Sequence, residues 1–315
     1  MSMSDDDKQD DEITQDKTSI VQSDTFKMRV AQANQAPPSL LLLVGPASAV
    51  GRQWPIEDTG RVVGRDVNSH IYVDDRSVSK AHAKLVLSGG EVSIIDLEST
   101  NKTVVNRAVL SPLTPCKLSN NDQIKMGNVI FKFLERGNIE TVSAAQTFDR
   151  GHTDALTGIN NRTGLYVRGT EMFKRSRLLG IPFTVITFDI DHFKKTNDTY
   201  LHTGGDFVLK ELSHVIRDKL IREDDFFARS GGEEFCLLLL GSPLDRAKEI
   251  AERIRATIEH HEFNFEGQII PVTISVGVSL SEPTDQTWED TFERADKALY
   301  ASKGSGRNRV TVAPI

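Results

Sequence analysis

The sequence predicts two folded units of different class in one chain, an all-β sandwich followed by an α+β unit of ferredoxin-like topology. Three observations carry this. Between residues 37 and 136, short apolar runs recur at close spacing, separated by loops rich in Gly, Asn, Asp and Ser, with no helical period. From residue 154 to 315, runs of strand length alternate with amphipathic stretches in the order β-α-β-β-α-β. At 315 residues the chain is also too long for one ordinary core.

A formal net charge of -7 argues against general affinity for nucleic acid, although a local basic pocket can still bind phosphate. No apolar run approaches bilayer-spanning length, and the acidic N-terminus lacks the basic start and apolar core of a secretory signal. The expected location is cytoplasmic, with no nucleic-acid or membrane partner. Cys116 and Cys236 stand far apart without ligand spacing and are expected to be reduced structural thiols. Residues 1–36 begin with Asp5, Asp6, Asp7, Asp10, Asp11 and Glu12 and carry almost nothing to bury, so disorder is expected there.

Strands of the sandwich are expected at Ser39–Val44, Arg61–Gly64, Ile71–Val73, Ala83–Leu87, Val92–Ile95 and Val129–Leu134. The loops between them hold Gly64-Arg65, Ser79-Lys80-Ala81-His82 and the stretch Asp96 to Asn106. A guanidinium, several hydroxyls and an amide on loops of a rigid scaffold suit a phosphate monoester, because Arg pairs with its oxygens bidentately and hydroxyls donate to the rest. Gly-Arg, Ser-x-x-His and Asn-x-Thr-x-Val-Asn, in that order across residues 38 to 136, resemble the forkhead-associated (FHA) family of phosphothreonine-binding modules. The resemblance implies that Arg65 and Ser79 hold the phosphate with Lys80 and Thr100 beside them. It further implies that Asn101 holds the peptide backbone and that His82 braces the loops. Lys102 departs from the glycine usual after the Asn. The ligand expected is a phosphothreonine of the chain's own tail, at Thr14, Thr18 or Thr25, or of a partner protein. Thr18 is favoured because Val21 offers an aliphatic group three residues on.

Residues 137–153 mix small and charged residues, with Ile139, Val142 and Ala145 at helical spacing, and read as a helical linker. The second unit opens with a turn-rich entry at Asp154–Arg162. Phe183–Phe188 reads as a buried strand ending in Asp189-Ile190-Asp191. Gly205-Asp206 is expected to open a helix with the apolar face Val208, Leu209, Leu212, Val215 and Ile216. A hairpin follows, with Asp225–Ala228 before the tip Arg229-Ser230-Gly231-Gly232-Glu233-Glu234 and Phe235–Leu240 after it. Ser242 reads as an N-cap with Pro243 at the first helical position, ahead of Ala247, Ile250, Ala251, Ile254 and Ile258 on one face. Val272, Ile274, Val276 and Val278 alternate as a half-buried strand.

Asp189 at a strand end and Glu233 on the adjacent hairpin can converge on one side of the sheet. A few oxygen ligands are what Mg²⁺ takes when substrate phosphates and water complete its octahedron, and such a pair suits nucleotidyl transfer. Lys194, Lys303 and Arg307 make a plausible phosphate clamp, and a carboxylate such as Asp206 beside Asn197 matches the paired donors of guanine.

The motifs Asp154-x-Leu156-Thr157-Gly158, Phe188 to Lys194, Asn197-Asp198, Gly205-Asp206, Gly231 to Phe235 and Ala295 to Tyr300 closely resemble GGDEF-domain diguanylate cyclases over residues 150 to 312. That family condenses two GTP into cyclic di-GMP across a homodimer, each domain presenting one GTP. The resemblance implies Asp189, the Ile190 carbonyl and Glu233 as ligands of Mg²⁺ (or Mn²⁺), with Glu233 also the base for the 3′-hydroxyl. Asn197 and Asp206 would read guanine, and Lys194, Lys303 and Arg307 would hold phosphates. Glu234 is the second acidic residue of the signature, and Arg229 would support the site. Leu201 departs from a family glycine. Arg222 and Asp225 match the family's Arg-x-x-Asp inhibitory site for the product. A silent cyclic di-GMP effector and an FHA-mediated adaptor are the competing readings; the intact Asp189, Glu233, Asn197 and Asp206 favour the enzyme.

Overall fold

The computed structural model describes residues 31, 33–46, 49–222 and 224–314. The acidic segment with Thr14, Thr18 and Thr25 lies outside those residues. Where the description begins, residues 33–35 are helical and Ala33 is buried, so structure starts before the boundary expected after residue 36. Gly137 N–H donates to Ala36 O at 3.4 Å, which ties the entry of the sandwich to its exit.

The first unit contains β1 (Ser39–Val44), β2 (Gln53–Pro55), β3 (Arg61–Gly64), β4 (Ile71–Tyr72), β5 (Ala83–Ser88) and β6 (Glu91–Asp96). It continues through β7 (Thr103–Val105), β8 (Ala108–Val109), β9 (Cys116–Lys117), β10 (Gln123–Met126) and β11 (Val129–Leu134). One sheet runs β2-β1-β11-β10-β7-β8 and the other β4-β3-β5-β6-β9. Alternate residues of each point inward, as in β6, where Val92, Ile94 and Asp96 are buried. Leu40, Val63, Leu85, Ile94, Phe131 and Phe133 fill the space between the sheets.

Helix α1 (Ile139–His152) occupies the segment read as a helical linker, capped by Asn138, whose side chain accepts from Glu140 N–H at 2.8 Å. The second unit follows as α2 (Arg162–Leu179), β12 (Phe183–Ile190), α3 (Phe193–Lys219), β13 (Phe226–Gly231), β14 (Glu234–Leu240) and α4 (Leu244–His260). A small hairpin, β15 (Phe263–Phe265) and β16 (Gln268–Ile270), precedes β17 (Ile274–Leu280), α5 (Trp288–Gly304) and β18 (Val310–Val312). The sheet order is β13-β14-β12-β17-β18, which is the ferredoxin-like order with β18 added parallel to β17.

Strand periodicity decides which way the site faces. Ile186, Phe188 and Ile190 pack with Val208, Leu212 and Ile216 of α3 on one side of the sheet. Phe183 and Val185 pack with Leu165 and Met172 of α2 and Trp288 and Ala295 of α5 on the other. Asp189 is in phase with Phe183 and Val185 and so faces α5. That helix lies unusually close: a Cβ built on Gly277 would stand 2.0 Å from Ala295 O and 2.4 Å from Leu299 N. The backbone of α5 therefore rests on β17, and its last turn delivers Lys303 to the end of β12.

Two expected helix starts shift. Pro243, not Ser242, is the N-cap of α4, with ψ at 163°, because the chain stays extended one residue longer while Ser242 O accepts from Thr184 Oγ1 at 2.9 Å. Helix α3 does not open at Gly205-Asp206. It begins at Phe193 and breaks at Leu201, whose φ of 60° and ψ of 175° lie in a region nearly reserved for glycine. Leu201 is 70% exposed, so almost no packing offsets strain of about 1–3 kcal/mol. Leu201→Gly is therefore expected to raise Tm by a few degrees, even after the greater unfolded-state entropy of glycine takes back about 0.5–1 kcal/mol. Calorimetry checks this; an unchanged or lower Tm would show that the leucine conformation is unstrained.

Candidate active site and phosphate pocket

Asp189 lies on the central strand, opposite Glu234 of β14 and Ser275 of β17. Ile190 N–H reaches Glu233 O at 3.3 Å, which pins the hairpin tip to the end of β12. The Asp189 side chain is nearly buried and accepts from Lys303 Nζ at 2.8 Å. Burial pushes its carboxyl up to about 6; Lys303 opposes that rise, and the Glu233 and Glu234 carboxylates add to it. The charges of Glu233 and Glu234 are thus felt at Asp189, with Lys303 supplying the countercharge. Such hard oxygen donors fit a divalent cation that keeps positions for phosphate and water. Among the described residues no three His, Cys, Asp or Glu side chains come together to hold a metal ion by themselves, so a cation here would draw its other ligands from backbone carbonyl, phosphate and water.

Asp191, on the same strand end, is a residue to which the sequence reading assigns no role. It is buried and accepts from Thr273 Oγ1 at 2.8 Å, Ser275 Oγ at 2.6 Å and Asn308 N–H at 3.0 Å. The last bond holds the turn carrying Lys303 and Arg307 against β12. Asn308 is held again by Arg255 Nη1 at 2.7 Å and by its own bond to Glu259 Oε1 at 2.7 Å. The Asp-x-Asp spacing was the available signal, since both carboxylates fall at the same strand end.

Arg229 is a positioning residue. Its Nε donates to Gly232 O at 2.7 Å and its Nη1 to Asp154 Oδ1 at 3.1 Å, so it links the glycine turn to the Asp154–Gly158 motif. Burial opposes ionisation of Asp154, yet the Thr157 hydroxyl and amide together with Arg229 hold it below the usual carboxylate range. Asn160 Nδ2 adds a bond to Phe227 O at 2.9 Å, fastening the same motif to β13. Phe188, Phe227 and Phe235 stack beneath the hairpin with centroids 5.3–6.0 Å apart.

Lys194 is exposed in the first turn of α3. Asn197 precedes the break at Leu201, and Asp206 follows it with its side chain exposed. A Cβ on Gly205 would stand 1.9 Å from Asn197 Oδ1, so the bend brings the amide against the backbone next to Asp206. Arg222 and Asp225 form a turn in which Arg222 N–H donates to Asp225 Oδ2 at 2.9 Å.

In the sandwich, His82 is buried and spans two loops: Ser79 N–H donates to its Nδ1 at 3.0 Å, and its Nε2 lies 3.2 Å from Lys102 O. Burial lowers its pKa, so the ring is neutral and donates through Nε2. Ser79 Oγ accepts from Thr100 N–H at 3.1 Å, and Asn101 Nδ2 donates to Ser77 O at 2.8 Å. Arg65 uses Nε on Val78 O at 3.2 Å; its terminal amino groups have no protein partner among the described residues. Lys80 is exposed beside them. Lys102 takes a left-handed φ of 57°, a region that glycine occupies without steric cost. Beneath it Asp96 accepts from Ser99 Oγ at 2.5 Å and Thr103 Oγ1 at 2.7 Å, bonds that outweigh burial and keep it ionised.

Residues 151–309, half of the chain, match the family described as "Diguanylate cyclase, GGDEF domain". The chain belongs to the GGDEF family. Residues 61–127 match the FHA domain. Diguanylate cyclase DgcP of Pseudomonas aeruginosa is 42% identical over 161 residues, 51% of this chain and 24% of that protein. Response regulator PleD of Caulobacter vibrioides is 34% identical over 208 residues, 65% of this chain and 44% of that protein. The chain thus spans less than half the length of these relatives. The coiled coil and GGDEF domain of DgcB from Caulobacter crescentus, in complex with c-di-GMP, matches with a TM-score of 0.53 at 30% identity, covering 55% of this chain and 92% of that one. Diguanylate cyclase SiaD of Pseudomonas aeruginosa, in complex with its activator SiaC, matches with a TM-score of 0.51 at 34% identity, covering 55% of this chain and 67% of that one. No described helix of the GGDEF chain is long and apolar enough to cross a membrane.

Proposed function

We propose that the chain is a diguanylate cyclase that condenses two GTP into cyclic di-GMP and two pyrophosphates. The observation that carries this is the buried Asp189 carboxylate, set among Glu233 and Glu234 and countered by Lys303 at the end of the central strand. Asp189, the Ile190 carbonyl and Glu233 would hold Mg²⁺ or Mn²⁺, which when bound neutralises triphosphate charge and acidifies the attacking hydroxyl. Asn197 and Asp206 read guanine. Lys194, Lys303 and Arg307 hold the phosphates. Glu233 takes the proton of the 3′-hydroxyl as its oxygen bonds to the α-phosphorus of the second GTP and pyrophosphate leaves; repetition closes the ring. One GGDEF domain offers half the substrate, so two copies must meet.

In this reading the FHA domain sets how often they meet. Arg65, Ser79, Lys80 and Thr100 receive a phosphothreonine, and Asn101 its backbone. The ligand is Thr18, Thr14 or Thr25 of the tail, held near the pocket at roughly millimolar effective concentration, or a partner's phosphothreonine. Product binding at Arg222 and Asp225 restrains the enzyme; the c-di-GMP complex of the similar DgcB domain supports this.

Full-length protein incubated with GTP and Mg²⁺ is expected to yield cyclic di-GMP by mass spectrometry. Recovery of GTP alone overturns the assignment. After kinase treatment, the wild-type rate is expected to change while that of Arg65→Ala does not; equal responses would reject control through the FHA pocket.

A further inference from the structure

The turn that joins α5 to β18 carries Arg307 just after Lys303, and its backbone is costly to hold. Gly306, Arg307 and Asn308 take φ of 106°, 62° and 44° in succession, so two residues with side chains occupy the left-handed region. Such a conformation persists only where the surroundings over-determine it. Backbone donors supply part of that determination. Arg307 N–H donates to Ser302 O at 3.0 Å, which folds Arg307 back toward the helix end that carries Lys303, and Asn308 N–H donates to Asp191 Oδ2 at 3.0 Å.

The rest comes from α4, a helix that carries none of the residues assigned to metal, substrate or proton transfer. Arg255 and Glu259 stand at i and i+4, so one turn of α4 presents both to the same point. Arg255 Nη1 donates to Asn308 Oδ1 and to Glu259 Oε2, each at 2.7 Å, and Asn308 Nδ2 donates to Glu259 Oε1 at 2.7 Å. The three side chains close a ring in which every bond has at least one charged partner, the stronger kind of hydrogen bond. Arg255, and after it Asn308, hold the Glu259 carboxyl below its usual range, so the ring is charged at neutral pH. Outside the ring, Arg255 Nε donates to Glu252 Oε1 at 2.8 Å. Arg255 thus has its bonds within the protein. Arg307 is the opposite case: it is half-buried, and its guanidinium has no protein partner among the described residues.

We infer that Arg255 and Asn308 are positioning residues for the triphosphate, and that their ring with Glu259 holds the turn in the left-handed conformation from which Arg307 meets the phosphates. This rests on the reading of Lys303 and Arg307 as the residues that hold phosphate, and adds what keeps them in register with Asp189. Without the ring the turn can still reach a phosphate, but the entropy of ordering it then opposes binding. The effect falls on the phosphate end of the ligand, because the guanine-reading residues Asn197 and Asp206 lie on α3 and share no bond with the ring.

The test uses the full chain with Mg²⁺ and reads binding rather than turnover, with pyrophosphate and guanosine as probes of the two ends of the site, each followed by NMR of the ligand. Arg255→Ala is expected to weaken pyrophosphate about tenfold, the effect of losing one hydrogen bond to a charged group, and guanosine less than twofold. Asn308→Ala, which opens the ring from the other side, is expected to show the same selective loss. Glu252→Gln removes the bond of Arg255 outside the ring and is expected to leave both affinities unchanged. Arg307→Ala should weaken pyrophosphate at least as much as Arg255→Ala does. Equal losses for the two probes in Arg255→Ala, or a tenfold loss of pyrophosphate in Glu252→Gln, would mean that Arg255 only stabilises α4, and that overturns the inference. Pyrophosphate affinity lost in Arg307→Ala but kept in Arg255→Ala overturns the positioning role while leaving the phosphate clamp intact. Unchanged pyrophosphate affinity in Arg307→Ala overturns the clamp and the inference with it.

Discussion

Replacing Asp189 with Asn is expected to lower cyclic di-GMP formation by about 10²–10³-fold or more, while raising the thermal stability of the metal-free protein at pH 8. Both effects have one cause. The carboxylate is buried among like charges, and burial with Glu233 and Glu234 raises its pKa to about 6 even though Lys303 pairs with it. A carboxyl raised above its unfolded value stabilises the fold fully below that unfolded value, near 4, and this contribution is lost as pH rises through 6. At pH 8 the ionised group therefore costs about 3 kcal/mol, from roughly two units at 1.36 kcal/mol each. Asn removes that cost, so the gain in Tm measured with chelator should be largest at pH 8 and vanish below pH 4. Lys303 loses its partner, but its side chain is 31% exposed and can turn to water. A lower Tm would mean that the ion pair is a net stabiliser. In wild type the acid limb of activity is expected near pH 6 and should move down as Mg²⁺ rises, because metal and proton compete for one carboxylate. Glu233→Gln is expected to cost a similar factor in turnover with little change in Tm, since Glu233 is only half-buried.

The fold class is legible because its signals are long: β12 is rich in β-branched and aromatic residues, β14 is apolar from Phe235 to Leu240, α4 shows an unbroken 3.6 period, and the Gly-Gly turn lies between two strand-like segments. The strands β2, β8 and β9, of two or three residues each, are not legible, because no period can be seen in so few residues and each is defined by the neighbour it pairs with rather than by its own sequence. The same limit applies to the site. Residue types and spacing mark Asp189, Glu233, Arg65 and Ser79 for chemistry. That Asp191 holds the Lys303–Asn308 turn, or that Lys303 meets Asp189, requires α5 to rest on Gly277, a contact set by packing across the sheet. Leu201 and Lys102 stand out as departures from glycine, but only the backbone angles show that both residues take a positive φ.

Gly205→Ala is expected to raise KM for GTP about 10–100-fold with a smaller effect on kcat, although the substitution adds one methyl group. The new Cβ would stand 1.9 Å from Asn197 Oδ1, 3.0 Å from its Cγ and 3.2 Å from Phe193 Cζ, so the amide must leave its place. Helix α3 breaks at Leu201, and that break lets Asn197 fold back onto Gly205 beside Asp206. If these two side chains together read the guanine edge, expelling one leaves a hydrogen-bonding site half filled, and the loss falls on binding. Overpacking also costs about 1–3 kcal/mol of stability, so a drop in Tm alone decides nothing. The decisive comparison is a double-mutant cycle with Asn197→Ala. Once the amide is absent the added methyl has room, and Gly205→Ala should then raise KM by less than twofold while the Tm penalty also shrinks. Independent, additive effects on KM would show that Gly205 acts through some other contact and that Asn197 does not meet the substrate from this position.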